Sequence, residues 1–191
     1  MEPKKNHKII VFVGMPGAGK SVCVDYLKEH DVPFVYFGGI TMDEVKRRGM
    51  EVNEASEKFV REDIRAKEGK GAYAVRIIQQ IEQHFDEGHQ YVVADGLYSW
   101  TEYKIFKDSF GDNAIIIAIV TPRAERHSRL ANRPVRPLTK REVNARDYAE
   151  IENLEKGGPI ANADYFLSNE HDVQTLQNDL ANLLQKLEIT L

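Results

Sequence analysis

Residues 14–21 read Gly-Met-Pro-Gly-Ala-Gly-Lys-Ser, which matches the pattern G-x-x-x-x-G-K-[ST]. Glycines in this pattern let the backbone wrap around a phosphate with its N–H groups pointing inward. The stretch follows the apolar run 9–13 and opens an amphipathic stretch at 21–30. Strand, loop and helix in this order are the setting that the pattern requires. The sequence therefore predicts a phosphate-binding loop, against the alternative of an ordinary glycine turn into a helix.

The last two residues of the loop have specific expected roles. Lys20 is expected to reach the β- and γ-phosphates of ATP, and the Ser21 hydroxyl is expected to bind Mg²⁺. The helix N-terminus that follows favours negative charge. The predicted cofactors are ATP and Mg²⁺, and the predicted nucleotide-binding residues of the loop are Gly14, Pro16, Gly17, Ala18, Gly19, Lys20 and Ser21.

Short apolar runs alternate with longer amphipathic stretches along the chain. This pattern is typical of a parallel sheet covered by helices on both faces, an α/β fold. Thr41 and Glu44 have capping-box spacing, and so do Thr139 and Glu142. Thr121 precedes a proline that suits a first helical position. The apolar runs predicted as strands are 9–13, 34–37, 91–94, 114–120 and 165–167, and apolar spacing at 172–187 predicts a packing helix.

Composition excludes several classes of function. The chain has 191 residues with 42% hydrophobic content, which is enough for the core of one domain. Its 26 basic and 30 acidic residues alternate, so we expect no nucleic-acid partner. The single cysteine, Cys23, excludes an intramolecular disulfide and a metal site of paired thiolates, and it favours a reducing compartment. No apolar run approaches the roughly 20 residues of a membrane span, so we expect a cytoplasmic protein.

Asp95 is the second candidate for chemistry. It ends the apolar run 91–94 and precedes Gly96, which places a carboxylate at the C-terminal edge of a predicted strand. Open α/β sheets bind ligands at that edge. We expect Asp95 to hold Mg²⁺, directly or through water, or to orient the attacking group. The alternative is a turn or cap aspartate.

Arginines are concentrated between residues 123 and 146. A planar guanidinium can clamp the negative charge that phosphoryl transfer spreads over the phosphate oxygens. Residues 132–139 read N-R-P-V-R-P-L-T, and the prolines predict a loop, on which Arg133 and Arg136 can swing onto the transferring phosphate. We predict these two as catalytic residues and Arg129 as a nucleotide contact. Solvated surface arginines are the alternative.

The chain resembles the nucleoside monophosphate kinase and dephospho-CoA kinase group, and in particular a largely archaeal branch of related P-loop proteins. The resemblance rests on the loop at 14–21, R-A-K-E-G at 65–69, V-V-A-D-G at 92–96 and A-D-Y-F-L-S-N at 163–169. It implies a three-layer P-loop NTPase fold with sheet order 2-3-1-4-5 and a single domain over 1–191. It also implies an acceptor-binding helical region at about 38–88, a lid at about 132–139 and a place near the adenine base for Asn169.

Two departures from that group concern the phosphate acceptor. Its members commonly carry G-D-x-x-R after the second strand, whereas residues 38–42 here are Gly-Gly-Ile-Thr-Met. Relatives often place an arginine after the Asp-Gly of the third strand, where this chain has Tyr98. Arg65 and Arg76 remain as candidates to hold the acceptor, and Tyr98 can stack on a base. The alternative is that the two arginines pair with neighbouring acids such as Glu62 or Glu68.

These observations predict a Mg²⁺-dependent kinase that moves the γ-phosphate of ATP to a nucleotide or a coenzyme A precursor. The expected partner is a small-molecule acceptor, and the expected state is a monomer or homodimer. The rival is a regulatory P-loop NTPase that acts through a protein partner. The missing acceptor arginine favours this rival, whereas the absence of an Asn-Lys-x-Asp stretch counts against a GTP switch.

Overall fold

The predicted apolar runs form a parallel sheet in this computed structural model, which describes residues 7–134 and 137–191. In the described residues the sheet has five strands in the order β2-β3-β1-β4-β5. This order confirms the prediction and places β1, which precedes the loop, at the centre. The strands are β1 (Lys8–Val13), β2 (Phe34–Tyr36), β3 (Tyr91–Asp95), β4 (Ala114–Val120) and β5 (Tyr165–Ser168).

Helices cover both faces of the sheet, so the predicted three-layer fold is confirmed. Alternate residues of β1 point to opposite faces, and Ile10 packs with α1 and α9 while Ile9 packs with α2 to α5. The helices are α1 (Lys20–Glu29), α2 (Phe37–Arg47), α3 (Glu54–Glu68), α4 (Ala72–Asp86), α5 (Trp100–Phe110), α6 (Arg123–Asn132), α7 (Lys140–Glu152), α8 (Gly157–Ala161) and α9 (Val173–Lys186).

One predicted helix start is confirmed and two are wrong. Thr139 and Glu142 form the capping box of α7. Thr41 is not a cap, because α2 already begins at Phe37 and buries Thr41 against the Tyr73 hydroxyl at 2.8 Å. Burial of the Phe37 ring directly after β2 outweighs the capping pattern. Likewise α6 begins at Arg123, one residue after the proline, because Pro122 has a non-helical ψ of 141° and itself occupies the N-cap position.

The predicted subdivisions fall on identifiable elements. The segment 38–88 contains α2, α3 and α4, and its role in acceptor binding stays a prediction. Within the predicted lid at 132–139, residues 135–136 lie outside the described residues. Cys23 is buried on α1, and burial raises the pKa of its thiol to about 12. None of the helices in the described part of the chain is long and apolar enough to cross a membrane.

Candidate nucleotide and phosphate site

The loop between β1 and α1 has a backbone that demands glycine. Gly14 and Gly19 have φ angles of 147° and 101°, in the region that disfavours other residues. A Cβ on Gly14 would lie 2.5 Å from the Ile119 carbonyl oxygen, and one on Gly19 would collide with the Asn169 side-chain amide. The loop therefore packs tightly against the end of β4 and the residue after β5.

Asn169 supports this loop through a side-chain hydrogen bond. Its side-chain amide donates to the Ala18 carbonyl at 2.8 Å, and the Thr121 hydroxyl donates to the same oxygen at 3.0 Å. Arg129 in turn donates to the Asn169 carbonyl at 2.8 Å. Asn169 is buried, so its clearest contact is with the loop, and contact with an adenine base stays a prediction. The role of Arg129 as a nucleotide contact likewise stays a prediction.

A buried ion pair ties the loop to the two helices after β4. Arg126 donates to both carboxylate oxygens of Asp147 at 2.9 and 3.0 Å and to the Pro16 carbonyl at 3.1 Å. The His127 ring lies 2.9 Å from the same carboxylate. Burial alone would raise the pKa of Asp147, but hydrogen bonds from Arg126 and His127 outweigh it and hold the pKa below its usual value. Arg126 therefore supports the loop instead of reaching for phosphate.

The Lys20 amino group folds back toward the first residues of the phosphate-binding loop. It donates to the carbonyls of Gly14 at 2.8 Å and Met15 at 3.3 Å. Burial, followed by the charge of Lys156, lowers the Lys20 pKa to about 8, although Asp95 acts in the opposite direction. A cation held in such poorly solvated surroundings gains strongly from an anionic ligand. Its position fits the predicted contact with a polyphosphate.

Asp95 ends β3 beside the loop, as predicted. In the sheet it is aligned with Phe12 of β1. Burial is the main cause that raises the pKa of Asp95, while the charges of Lys20 and Lys156 act to lower it. The exposed Ser21 lies in the first turn of α1. A hydroxyl and a carboxylate at one edge of the sheet are donors that Mg²⁺ prefers, so the residues present fit that ion.

Lys156 is a functional candidate that the sequence analysis missed. It is only 3% exposed, pairs with Glu150, and lies 4.7 Å from the centre of the Tyr98 ring. It lies at the N-cap of α8, close enough for its charge to lower the pKa of both Lys20 and Asp95. The surrounding residues 155–159, Glu-Lys-Gly-Gly-Pro, match no local motif. Only the tertiary fold shows where this lysine lies.

Tyrosines lie where the resemblance places the acceptor. The Tyr98 ring packs over Gly96, where an added Cβ would lie 2.5 Å from it, and it meets the Phe37 ring edge-on with centroids 6.0 Å apart. The Tyr36 ring covers Gly38 in the same way. Burial, and then the neighbouring Tyr36, raise the pKa of Tyr98. Tyr98 thus borders the site and remains neutral there.

Of the two predicted acceptor arginines, Arg65 lies nearer to this region. Its guanidinium stacks 4.7 Å above the Tyr73 ring, and its charge acts on the buried Glu102. Glu102 accepts hydrogen bonds from the backbone N–H groups of Tyr98 and Ser99 at 2.9 and 3.0 Å. The contact of Arg65 with an acceptor stays a prediction.

The structure does not bring Arg76 to the phosphate loop. Arg76 pairs with Glu68 at 2.5 Å, as the alternative interpretation of the sequence predicted. It lines a surface groove of about 460 Å³ between α2 and α4. Arg133 follows α6 at the start of the predicted lid, and Arg136 lies outside the described residues. Their contact with phosphate stays a prediction.

Comparison with known sequences is consistent with this geometry. Residues 10–155 match a family model described as an AAA domain. The chain is 31% identical to the UPF0200 protein of Thermococcus kodakarensis over 94% of this chain and 97% of that protein. It is 39% identical to the UPF0200 protein of Methanosarcina mazei, but there the match covers just under two thirds of each protein, 66%.

Solved structures of similar fold include kinases. TT1252 from Thermus thermophilus has a TM-score of 0.67 at 19% identity, covering 96% of this chain and 99% of that one. Shikimate kinase from Bacteroides thetaiotaomicron has a TM-score of 0.57 at 14% identity, covering 95% and 98%. A gluconokinase from Sinorhizobium meliloti has a TM-score of 0.59 at 12% identity, covering 97% and 98%. At these identities the likeness shows a P-loop kinase-like fold and nothing finer.

Proposed function

The chain belongs to the UPF0200 family, and from this premise we propose that it is an ATP- and Mg²⁺-dependent kinase acting on a small acceptor. The observation that carries the proposal is that Lys20, in the loop after β1, lies beside Asp95, which ends the neighbouring strand β3, with the buried Lys156 close enough for its charge to act on both. Two cations and one carboxylate beside a phosphate-binding loop are the groups that phosphoryl transfer needs.

Each of these residues has a distinct task in the proposed reaction. ATP, when bound with Mg²⁺, supplies the phosphoryl group. The loop N–H groups and Lys20 hold the phosphates, and Lys156 neutralises charge on the acceptor side. Asp95 either holds the ion or, for an acceptor that attacks through a hydroxyl such as dephospho-CoA, accepts the hydroxyl proton as the oxygen bonds the γ-phosphorus and ADP leaves. The raised pKa of Asp95 favours the second task.

The charged and aromatic side chains around Tyr98 indicate the class of acceptor. Lys156, which contacts the Tyr98 ring and pairs with Glu150, and Arg65, which stacks on the Tyr73 ring, are cations that favour an anionic acceptor. Tyr98 adds an aromatic surface on which a base can stack. Together these features support a nucleotide or a coenzyme A precursor, such as a nucleoside monophosphate or dephospho-CoA.

A panel of acceptors tests this function. ATP-Mg is incubated with nucleoside monophosphates, dephospho-CoA, nucleosides, shikimate and gluconate, and ADP formation and the phosphorylated product are both measured. Lys20→Ala, purified in parallel, controls for contaminating kinases. We expect one anionic acceptor to turn over with wild type and not with the control. Equal product from both proteins would refute the proposal.

The regulatory alternative also has an observation in its favour. The rings of Tyr36 and Tyr98 cover glycines where the resemblance places the acceptor. If this arrangement persists with ATP bound, no acceptor can approach. The same panel separates the two functions, because a regulator gives no phosphorylated product and hydrolyses ATP at a rate that a protein partner changes.

Lys156 provides a more specific prediction. Lys156→Met keeps the apolar stem and removes the charge, so we expect kcat to fall by about 10- to 100-fold, since each tenfold step corresponds to about 1.4 kcal/mol of transition-state stabilisation. ATP affinity should change by less than about threefold, because Lys20 and the loop bind the nucleotide. Steady-state kinetics and calorimetry measure the two effects.

Two further variants make this result interpretable. Lys140→Met, at the exposed start of α7, is the matched control and should keep wild-type kinetics. Lys156→Met removes the closer of the two cations that contact Glu150 and leaves Arg146 at 3.7 Å, so the double variant Lys156→Met with Glu150→Gln separates lost charge from lost folding. A double variant that is stable and fully active would exclude Lys156 from the reaction.

A further inference from the structure

A second site lies at the opposite end of β3, in the turn that joins α4 to this strand. Here His84, Glu87 and His89 bring one ligand atom each within 4.8 Å of one another. We propose that these three side chains bind a transition-metal ion of the zinc type. The site is separate from the phosphate loop, because the chain from His89 to Asp95 spans about 20 Å at about 3.3 Å per residue.

The backbone of the turn places the two histidines side by side. The N–H of His89 donates to the His84 carbonyl at 3.1 Å, and the N–H of Gly88 donates to the Phe85 carbonyl at 3.1 Å. With Gly88 at φ 98°, these bonds form the Schellman ending of a helix. The rings of His84 and His89 consequently lie 5.7 Å apart at an angle of 78°. The backbone of the turn thus places the two imidazole rings close enough to share a ligand.

One pair of donor atoms already has the spacing of a tetrahedral ion. His84 Nδ1 and Glu87 Oε2 are 3.3 Å apart, and metal–donor bonds of about 2.0–2.1 Å give a tetrahedron an edge of about 3.3–3.4 Å. His84 Nδ1 is shielded from solvent, and no described residue gives it a well-formed hydrogen bond. A nitrogen lone pair or N–H that is withdrawn from water in this way gains from a metal bond.

A neighbouring residue orients the carboxylate. Gln83 donates from its side-chain amide to Glu87 Oε1 at 2.9 Å, which leaves Oε2 directed toward His84. Such outer hydrogen bonds are characteristic of metal ligands.

The donor set selects the kind of ion. Two imidazole nitrogens and one carboxylate suit Zn²⁺, with water in the fourth position, whereas Mg²⁺ prefers oxygen donors only. The competing interpretation is a simple ion pair at a helix C-terminus, where a protonated histidine is favourable. This ion pair involves His84 and Glu87 but not His89. Substitution of His89 therefore distinguishes a metal site from a simple ion pair.

The test is a zinc titration of tag-free protein that has been treated with EDTA and returned to millimolar Mg²⁺, which saturates the oxygen donors near the loop. Competition with a chromophoric chelator gives the affinity, and the visible spectrum of the Co²⁺ form reports tetrahedral geometry. We expect one equivalent per chain. His84→Gln and His89→Gln should each weaken Zn²⁺ binding at least tenfold and abolish the tetrahedral Co²⁺ spectrum.

His30→Gln is the matched control, because His30 also ends a helix and its ring nitrogen bonds only a backbone carbonyl, that of Tyr26, at 2.8 Å. Zn²⁺ at 100 times its Kd should raise the melting temperature of wild type and of this control by about 5 °C, and should not raise that of His89→Gln. In EDTA all three proteins should melt alike. Wild-type zinc affinity in His89→Gln would overturn the site, whatever the acceptor panel shows.

Discussion

Replacing Lys20 with Ala is expected to lower kcat/KM for ATP by roughly 30- to several-thousand-fold. The substitution removes a cation from poorly solvated surroundings, where losing a charged partner of a polyphosphate costs about 2–5 kcal/mol. The fold should survive, because Lys20 bonds only the loop carbonyls of Gly14 and Met15 among the contacts described for it. Calorimetry of ATP binding and steady-state kinetics measure the loss.

The pKa of Lys20 adds a second readout to the same experiment. Burial lowers this pKa to about 8, so the free protein loses the positive charge as the pH rises through that value. Wild-type kcat/KM should therefore decline above about pH 8, and this limb of the profile should be missing in Lys20→Ala. Lys28→Ala, at the other end of α1, is the control and should retain the wild-type profile. Unchanged ATP affinity in Lys20→Ala would contradict the role of the loop.

The phosphate loop could be predicted because its signal is local. Eight consecutive residues specify the glycine conformations, the lysine and the start of α1, and alternating apolar runs specify the sheet. Asp95 could be placed for the same reason, since it directly follows an apolar run. The sheet order came from the resemblance and not from the pattern of runs, because many orders suit the same five strands.

Other site residues could not be found from the sequence, because long-range packing determines their positions. The packing of β4, α6 and α7 determines where Lys156 lies, and no motif near Lys156 in the sequence indicates that position. Arg126 and Arg129 lie one helical turn apart, yet one binds Asp147 and the other the Asn169 carbonyl. Sequence spacing shows that arginines are close together but not which of them faces solvent, a carboxylate or a ligand.

The buried pair of Arg126 and Asp147 gives the largest expected effect on stability. Asp147→Ala should lower the free energy of unfolding by about 3–5 kcal/mol, because it leaves a buried guanidinium without its carboxylate. Both side chains are less than a tenth exposed. Urea unfolding of the variant and of Asp179→Ala, an exposed aspartate on α9, measures the difference. The control should stay within about 0.5 kcal/mol of wild type.

The pH dependence of stability separates this ion pair from a simple packing defect. The pKa of Asp147 is lower in the folded chain than in the unfolded one, where an aspartate titrates near about 3.9. Its contribution to stability is therefore present above that value and is lost as the pH falls through the folded-state pKa. Wild type should lose this part of its stability on acidification, whereas Asp147→Ala should not.

Because Arg126 also donates to the Pro16 carbonyl, the variant should bind ATP more weakly even where it remains folded. Equal unfolding free energies for wild type and Asp147→Ala at pH 7 would mean that the pair does not anchor the loop.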